Sequence, residues 1–169
     1  MPLVLTEGQC RLLILLSNEG VRFLVIGGYA VKAHGVDRPT QDIDLWLSPS
    51  KQNAKKVARG FEQLGHAPPA GTIWVEVLSK PNVRFAYPAD GPGHEGDILT
   101  SIGDLDFDAR FNRSVEIALC GKIFQMPNRD DLIEIKKVSS AAGNNAAKKA
   151  QDLEDINALM GVQDCKPVK

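Results

Sequence analysis

Residues 24–47 read LVIGGYAVKAHGVDRPTQDIDLWL. A short apolar run ends in Gly27-Gly28, and thirteen residues separate this pair from Asp42-Ile43-Asp44, which opens a second apolar run. The first run is short and β-branched, which is typical of a buried strand, and the glycine pair stands where a helix would begin. This stretch therefore predicts a strand, a glycine turn, a short helix and a second strand that carries two carboxylates.

The spacing of the two carboxylates indicates metal and phosphate chemistry. Side chains alternate along a strand, so Asp42 and Asp44 would share one face. Neighbouring carboxylates repel each other without a cation, and Mg²⁺ favours one or two protein carboxylates together with phosphate oxygens. Gly27 and Gly28 would let a phosphate approach the backbone amides. The alternative is two solvated acids on a half-exposed strand after an ordinary tight turn.

Helices and strands are predicted on both sides of this stretch. Thr6 is expected to cap a helix that ends near Gly20, and Ser50 a helix over about 51–64. Strands are expected over 73–78, 83–87, 97–101, 114–119 and 122–126, and helices over 128–140 and 146–160. The order predicts an α/β or α+β fold in one domain over 1–169, with a core of about 6–126 and a C-terminal helical part of about 128–160.

Composition sets limits on partners and compartment. The net charge is −1 and the pI is near 6.3, so contact with nucleic acid would need a local basic patch. Cys10, Cys120 and Cys165 are odd in number and widely spaced, which predicts reduced thiols in a cytoplasmic protein. The apolar run 12–16 is too short to span a bilayer, so we expect no signal peptide and no membrane anchor.

The glycine and aspartate motifs resemble those of the nucleotidyltransferase superfamily with the DNA polymerase β-like core. Ile26-Gly27-Gly28 and Asp42-Ile43-Asp44-Leu45 match its pattern. Gly27-Gly28-Tyr29-Ala30 and the run 38–44 are similar to small bacterial AbiEii-like and related minimal nucleotidyltransferases. The match is specific over 24–47 and looser to about residue 160. It implies a mixed β-sheet flanked by helices, with further helices at the C-terminus.

The resemblance also implies a third acid on a strand beside the pair. There it would ligate metal and help to deprotonate an acceptor hydroxyl. Asp97 is the candidate, because relatives often carry Asp-hydrophobic-Leu-Thr at this point; Glu95 and Asp106 are the alternatives. Asp104, Asp106 and Asp108 follow a glycine, and we expect them in a solvated loop and helix start.

Two residues near the C-terminus are expected to bind the nucleotide. By resemblance, Lys136 would contact the triphosphate and Asp152 would orient Lys136 or a group on the nucleotide. Lys137 and Asp155 are alternatives in alignment, because the segment between the two motifs is longer than in many relatives. The competing interpretation is a surface lysine and an acidic helix face.

Several other residues in these motifs could contribute to nucleotide binding or to packing. Arg38 would contact phosphate or pair with the carboxylate strand, and Thr40 would brace the backbone beside the nucleotide. Tyr29 and Trp46 could stack on a base, although packing in the core or cleft wall is favoured. His94 lies in a loop without a predicted partner.

The resemblance implies metal-dependent transfer of a nucleoside monophosphate from a nucleoside triphosphate such as ATP to an acceptor hydroxyl, with release of pyrophosphate. One or two Mg²⁺ ions would be held by Asp42, Asp44 and Asp97. The alternative is a binding or regulatory module, such as an antitoxin-type partner in a toxin–antitoxin or phage-defence pair. A small-molecule modifier is a third interpretation, which would need an acceptor pocket or a homodimer. The acceptor is left open among RNA, protein and small molecule, and no membrane partner is expected.

Overall fold

The computed structural model describes residues 3–88 and 93–162. Its elements are α1 (Glu7–Asn18), β1 (Phe23–Ile26), α2 (Gly27–Ala33), β2 (Ile43–Leu47), α3 (Lys51–Gln63), α4 (Trp74–Leu78), β3 (Arg84–Tyr87), β4 (Gly96–Leu99), α5 (Phe107–Asn112), β5 (Val115–Leu119), β6 (Lys122–Met126), α6 (Arg129–Ala142) and α7 (Ala146–Gly161). In this part of the chain, no helix has the length and apolar composition needed to cross a membrane.

A four-stranded sheet in the order β1-β2-β4-β3 forms the centre of the fold. β1 and β2 are antiparallel, β2 and β4 are parallel, and β3 and β4 are antiparallel. The sheet is therefore mixed, as expected. The β2–β4 register places Asp44 directly beside Asp97.

Side-chain alternation in β1 and β2 directs one set of residues to each face of the sheet. Val25 and Leu45 are fully buried in the main core, to which α1 and α3 contribute. Leu24 and Trp46 face the opposite way, into a smaller cluster with Ile135 of α6. Asp44 shares the parity of Trp46, so it lies on the face that α6 covers.

Local signals in the sequence identify the helix starts and the hairpin correctly. The side chains of Thr6, Ser50 and Asn128 each accept a hydrogen bond from the third residue after them, as N-caps do. β5 and β6 form the expected antiparallel hairpin. Its turn residues Cys120 and Gly121 both have positive φ, as the tight turns that join such strands require.

The expected strand over 73–78 is wrong, because this segment contains the helix α4. Trp74 and Leu78 are four residues apart, and both are buried. Trp74 packs against Phe61 of α3 with ring centroids 4.9 Å apart, while Ile73 is exposed. A strand would bury Glu76 on the same face as Trp74 and Leu78, but Glu76 is exposed and Val75 and Val77 are partly buried. The burial therefore has the period of a helix, and packing overrides the β-branched composition. β3 consequently pairs with β4 and not with residues 73–78.

The expectation of reduced thiols is also wrong for two of the three cysteines. Cys10 in α1 and Cys120 in the β5–β6 turn form a disulfide, with their Cα atoms 5.7 Å apart. These residues are 110 positions apart in the chain, so only the fold brings them together. Cys165 lies outside the described residues.

Candidate active site

The glycine turn lies directly against the strand that carries the acids. Gly27 begins α2 with a φ of +71°, and a Cβ added there would lie 2.3 Å from Oδ2 of Asp44. A Cβ on Gly28 would lie 2.3 Å from Oγ1 of Thr40. Both positions therefore require glycine for close approach, and Gly27 also requires it for its backbone conformation.

Replacing Gly27 with Ala should impair the site more than the fold. The methyl group would displace the Asp44 carboxylate, and the left-handed backbone would cost about 1–2 kcal/mol. Gly65→Ala is a matched control, because Gly65 has a φ of +77° and no atom within 4 Å of its added Cβ. Thermal unfolding should show the backbone cost in both variants and a further loss in Gly27→Ala from displacement of Asp44, and only Gly27→Ala should lose the activity of the site. Equal activity in the two variants would contradict this role for the close approach.

Two of the three candidate acids contact each other across neighbouring strands. The backbone amide of Asp97 donates to Oδ1 of Asp44 over 3.2 Å. Burial, followed by the charge of Asp97, raises the pKa of Asp44 to about 6. Asp42 precedes β2, and 46% of its side chain is exposed. The three carboxyl groups thus form a partly enclosed acidic cluster, in which the side chain of Asp42 faces the solvent.

Two basic side chains lie against these acids. Arg84 donates to Oδ2 of Asp97 over 2.9 Å. The ring of His94 lies between two of the acids, with Nδ1 3.3 Å from Asp42 and Nε2 3.3 Å from Asp97. Burial lowers the pKa of His94, but the hydrogen bond and charge of Asp97, then the charge of Asp42, raise it above its ordinary value. The sequence predicts no partner for His94, although this residue lies three positions before Asp97.

The acids suit a divalent metal in chemistry, although they do not already converge on one point. Among residues 3–88 and 93–162, no three His, Cys, Asp or Glu side chains form a preassembled metal cluster. Carboxylate oxygens are the ligands that Mg²⁺ prefers, and the raised pKa of Asp44 is what a bound cation would reverse. Asp42 and Asp44 therefore fit Mg²⁺, and Asp97 fits once Arg84 and His94 move aside.

The alternatives for the third acid lie elsewhere. Glu95 precedes β4, and its carboxylate accepts a hydrogen bond from Oγ1 of Thr6 over 2.6 Å. It therefore lies just outside the strand and contacts the N-cap of α1. Asp106 caps α5 by accepting from the amide of Ala109, as expected of a helix start.

The C-terminal helices supply a buried group of charges. Nζ of Lys136 lies 3.2 Å from Asp152 and 2.8 Å from Asp155. Asp155 also accepts from Arg38 over 2.7 Å. Of the alternatives left open by the sequence, Lys136 is buried and Lys137 is exposed, whereas Asp152 and Asp155 both contact the same ammonium group. Oδ2 of Asp152 is buried without a hydrogen-bond partner.

Of the remaining candidate nucleotide-binding residues, two lie at the site and two lie in the core. Arg38 pairs with Asp155 of α7, not with the carboxylate strand. Thr40 packs against Gly28. Tyr29 and Trp46 are buried in the two clusters of the core, so neither presents a ring for base stacking.

Two clefts meet at Asp44 and Lys136. One is a polar cleft of about 380 Å³, whose walls include Gly28, Arg38 and Thr40. The other is a cavity of about 230 Å³ on the Asp97 side. Its lining also includes Arg84, Leu99, Ser101, Ile102, Ile135 and Val138. The molecule therefore offers a polar compartment and a more apolar one on the two sides of a buried charge cluster.

Solved structures show which class this fold belongs to. Lincosamide antibiotic adenylyltransferase LnuA, solved with lincomycin bound, has a TM-score of 0.54 and 16% identity over 94% of this chain and 99% of that one. An antigenic nucleotidyltransferase-like protein from Paracoccidioides brasiliensis has a TM-score of 0.52 and 14% identity, over 92% of this chain and 77% of that one. No protein-family model and no curated protein sequence matches. The chain has the nucleotidyltransferase fold, and its AbiEii-like character stays a prediction.

Proposed function

We propose that the protein is a metal-dependent nucleotidyltransferase, which transfers a nucleoside monophosphate to an acceptor hydroxyl and releases pyrophosphate. The observation that carries this proposal is the β2–β4 register, which places Asp97 beside Asp44 against the Gly27 turn. The acidic pair suits a divalent metal, and the glycine turn that lines the polar cleft suits the phosphates of a nucleotide.

The polar cleft would hold the triphosphate. Gly28 has no side chain to block the phosphates, and Arg38 and Lys136 bring positive charge to the same cleft. Asp155 contacts both of these cations, which would hold them in place before the nucleotide arrives. Oδ2 of Asp152, a buried acceptor without a partner, would receive a hydrogen bond from a nucleotide hydroxyl.

Asp42, Asp44 and Asp97 would hold one or two Mg²⁺ ions. When bound, the metal would neutralise charge on the triphosphate and on the departing pyrophosphate. The acceptor oxygen would attack the α-phosphorus in line, forming one P–O bond as the bond to pyrophosphate breaks. Its proton would pass to Oδ1 of Asp97, the atom that His94 contacts in the absence of substrate.

A small hydroxylated molecule is the acceptor class that we favour. In-line attack requires the acceptor to enter opposite the pyrophosphate, which is the Asp97 side when the triphosphate fills the polar cleft. The cavity there measures about 230 Å³ and has apolar walls from Leu99, Ile102 and Ile135. LnuA, which shares the fold, is a lincosamide antibiotic adenylyltransferase. A setting in a toxin–antitoxin or phage-defence system remains a prediction of the sequence resemblance.

Labelled nucleotides test the proposal directly. The protein would be incubated with Mg²⁺, a cell extract or a panel of small alcohols, and each NTP labelled at the α- or γ-phosphate. We expect α-label, and no γ-label, to enter a product with one preferred NTP, and Asp97→Asn to prevent it. A labelled protein or RNA would point to the toxin–antitoxin or phage-defence setting. Absence of α-label with every NTP would overturn the proposal and favour a binding module, which capture of a partner protein would then identify.

A further inference from the structure

Gln9 is a buried polar residue that connects α1 to both acid-bearing segments. Its side chain is fully buried. Nε2 donates to the carbonyl oxygen of Gln41 over 2.6 Å and to that of Glu95 over 2.8 Å. Gln41 immediately precedes Asp42, and Glu95 is two residues before Asp97. One amide group therefore joins the two chain segments that lead into the candidate metal ligands.

These bonds hold the start of β2 beside the start of β4. The carbonyl of Glu95 also accepts from the backbone amide of Ile43 over 2.8 Å, so it bridges β2 and Gln9. Asp42 lies outside the regular strand pairing, which begins at Ile43 opposite Gly96. The side chain of Gln9 thus binds the carbonyl of Gln41, which lies just outside the hydrogen-bonded part of the sheet.

Helix capping does not account for this arrangement. The capping box needs only Oε1 of Gln9, which accepts from the amide of Thr6, and the backbone amide of Gln9, which donates to Oγ1 of Thr6. A glutamate would serve the cap equally well, because the box accepts Glu or Gln at this position. Only glutamine adds the two N–H donors that reach Gln41 and Glu95.

We propose that Gln9 is a positioning residue that sets the distance between the Asp42 and Asp97 segments and so prepares the acids to bind divalent metal. This inference rests on the proposed function, because it assigns those acids to metal. Gln9 acts through the two carbonyls and touches neither metal nor substrate. Strand pairing holds Asp44 beside Asp97 but does not include Asp42. The contribution of Gln9 is to keep Asp42 near Asp97.

Metal affinity separates positioning from capping. The probe is Mn²⁺, which is added to the full chain, and the free ion is measured by electron paramagnetic resonance. The temperature of the measurement is well below the lowest thermal unfolding midpoint among the variants. Gln9→Met removes both donors and the Gln9 half of the capping box. Thr6→Val keeps both donors and removes the Thr6 half of the box, together with the bond from Oγ1 of Thr6 to the Glu95 carboxylate. Gln9→Glu keeps the cap and replaces the amide donor with a carboxyl oxygen that faces the two carbonyls, so it perturbs the same two contacts by a second route. Asp44→Asn is the reference for a damaged metal site.

We expect the Gln9 variants to weaken Mn²⁺ binding by about tenfold or more, as loss of a group supporting metal ligands usually does, and Thr6→Val by less than about twofold. Amide hydrogen exchange in the metal-free protein should also be faster at Asp42 and Ile43 in the Gln9 variants than in Thr6→Val. Unchanged Mn²⁺ affinity in the Gln9 variants, or an equal loss in Thr6→Val, overturns the positioning role while leaving the proposed function in place. Equal Mn²⁺ affinity in the wild-type protein and Asp44→Asn overturns the proposed metal site, and this inference with it.

Discussion

Replacement of Asp44 with Asn is expected to abolish nucleotidyl transfer and to make the metal-free protein more stable. Burial and the charge of Asp97 raise the pKa of Asp44 to about 6, which means that its ionised form is disfavoured in the folded chain. Asn keeps the size of the side chain and an oxygen that can accept from the amide of Asp97. It removes the charge that would hold Mg²⁺. Loss of activity should therefore accompany a gain in stability.

The stability gained by Asp44→Asn should increase as the pH rises. The folded pKa lies above the unfolded value of about 3.9, so the folded state binds the extra proton between the two values. Below about pH 4 the Asp44 carboxyl is neutral in both states and Asn brings no advantage. As pH rises through about 6 the wild-type protein loses stability, and above it Asn should be more stable by on the order of 2–3 kcal/mol.

Urea unfolding of the metal-free protein from pH 4 to pH 8 measures this difference. Asp42→Asn is the control, because about half of that side chain is exposed and its replacement should change stability far less. Added Mg²⁺ should raise the midpoint of the wild-type protein and not that of Asp44→Asn. A variant that unfolds earlier than wild type at pH 8, or that still transfers label, would contradict the assignment.

Removal of Lys136 is expected to have the largest effect on stability. Its ammonium group is the shared partner of the buried carboxylates of Asp152 and Asp155. Lys136→Met would leave these charges buried with less compensation, and breaking such a pair usually costs about 3–5 kcal/mol. Nucleotide binding should fall as well, since Lys136 lines the polar cleft.

A double variant distinguishes the two consequences. In Lys136→Met/Asp152→Asn the charge left by the lysine is removed, and Asp155 keeps its contacts with Arg38 and Gln151. Much of the lost stability should return, while affinity for a nonhydrolysable NTP analogue should stay low. Asp152→Asn alone is the control for the second change. Recovery of nucleotide affinity in the double variant would show that Lys136 acts only through the fold.

Short-range patterns predicted the local structure around the candidate site well. The glycine pair, the short helix and the acid strand follow one another within residues 24–47, so their spacing alone determines how they meet. The helix caps and the β5–β6 hairpin are local in the same sense. Residues 73–78 show where this fails, because their β-branched composition favours a strand, whereas in the tertiary structure a helix buries Trp74 against Phe61 and leaves Glu76 exposed.

The sequence by itself determined the fold class, the glycine–aspartate motif and the residue types that could bind nucleotide and metal, because these depend on neighbours along the chain. Tertiary structure decided which distant residues meet that motif. Strand register placed Asp97, and not Glu95, beside Asp44. The pairing of α6 with α7 gave Lys136 two buried acids, and the packing of α1 brought Gln9 to the site and Cys10 to Cys120. Such contacts join residues up to 110 positions apart, and periodicity carries no information over that separation.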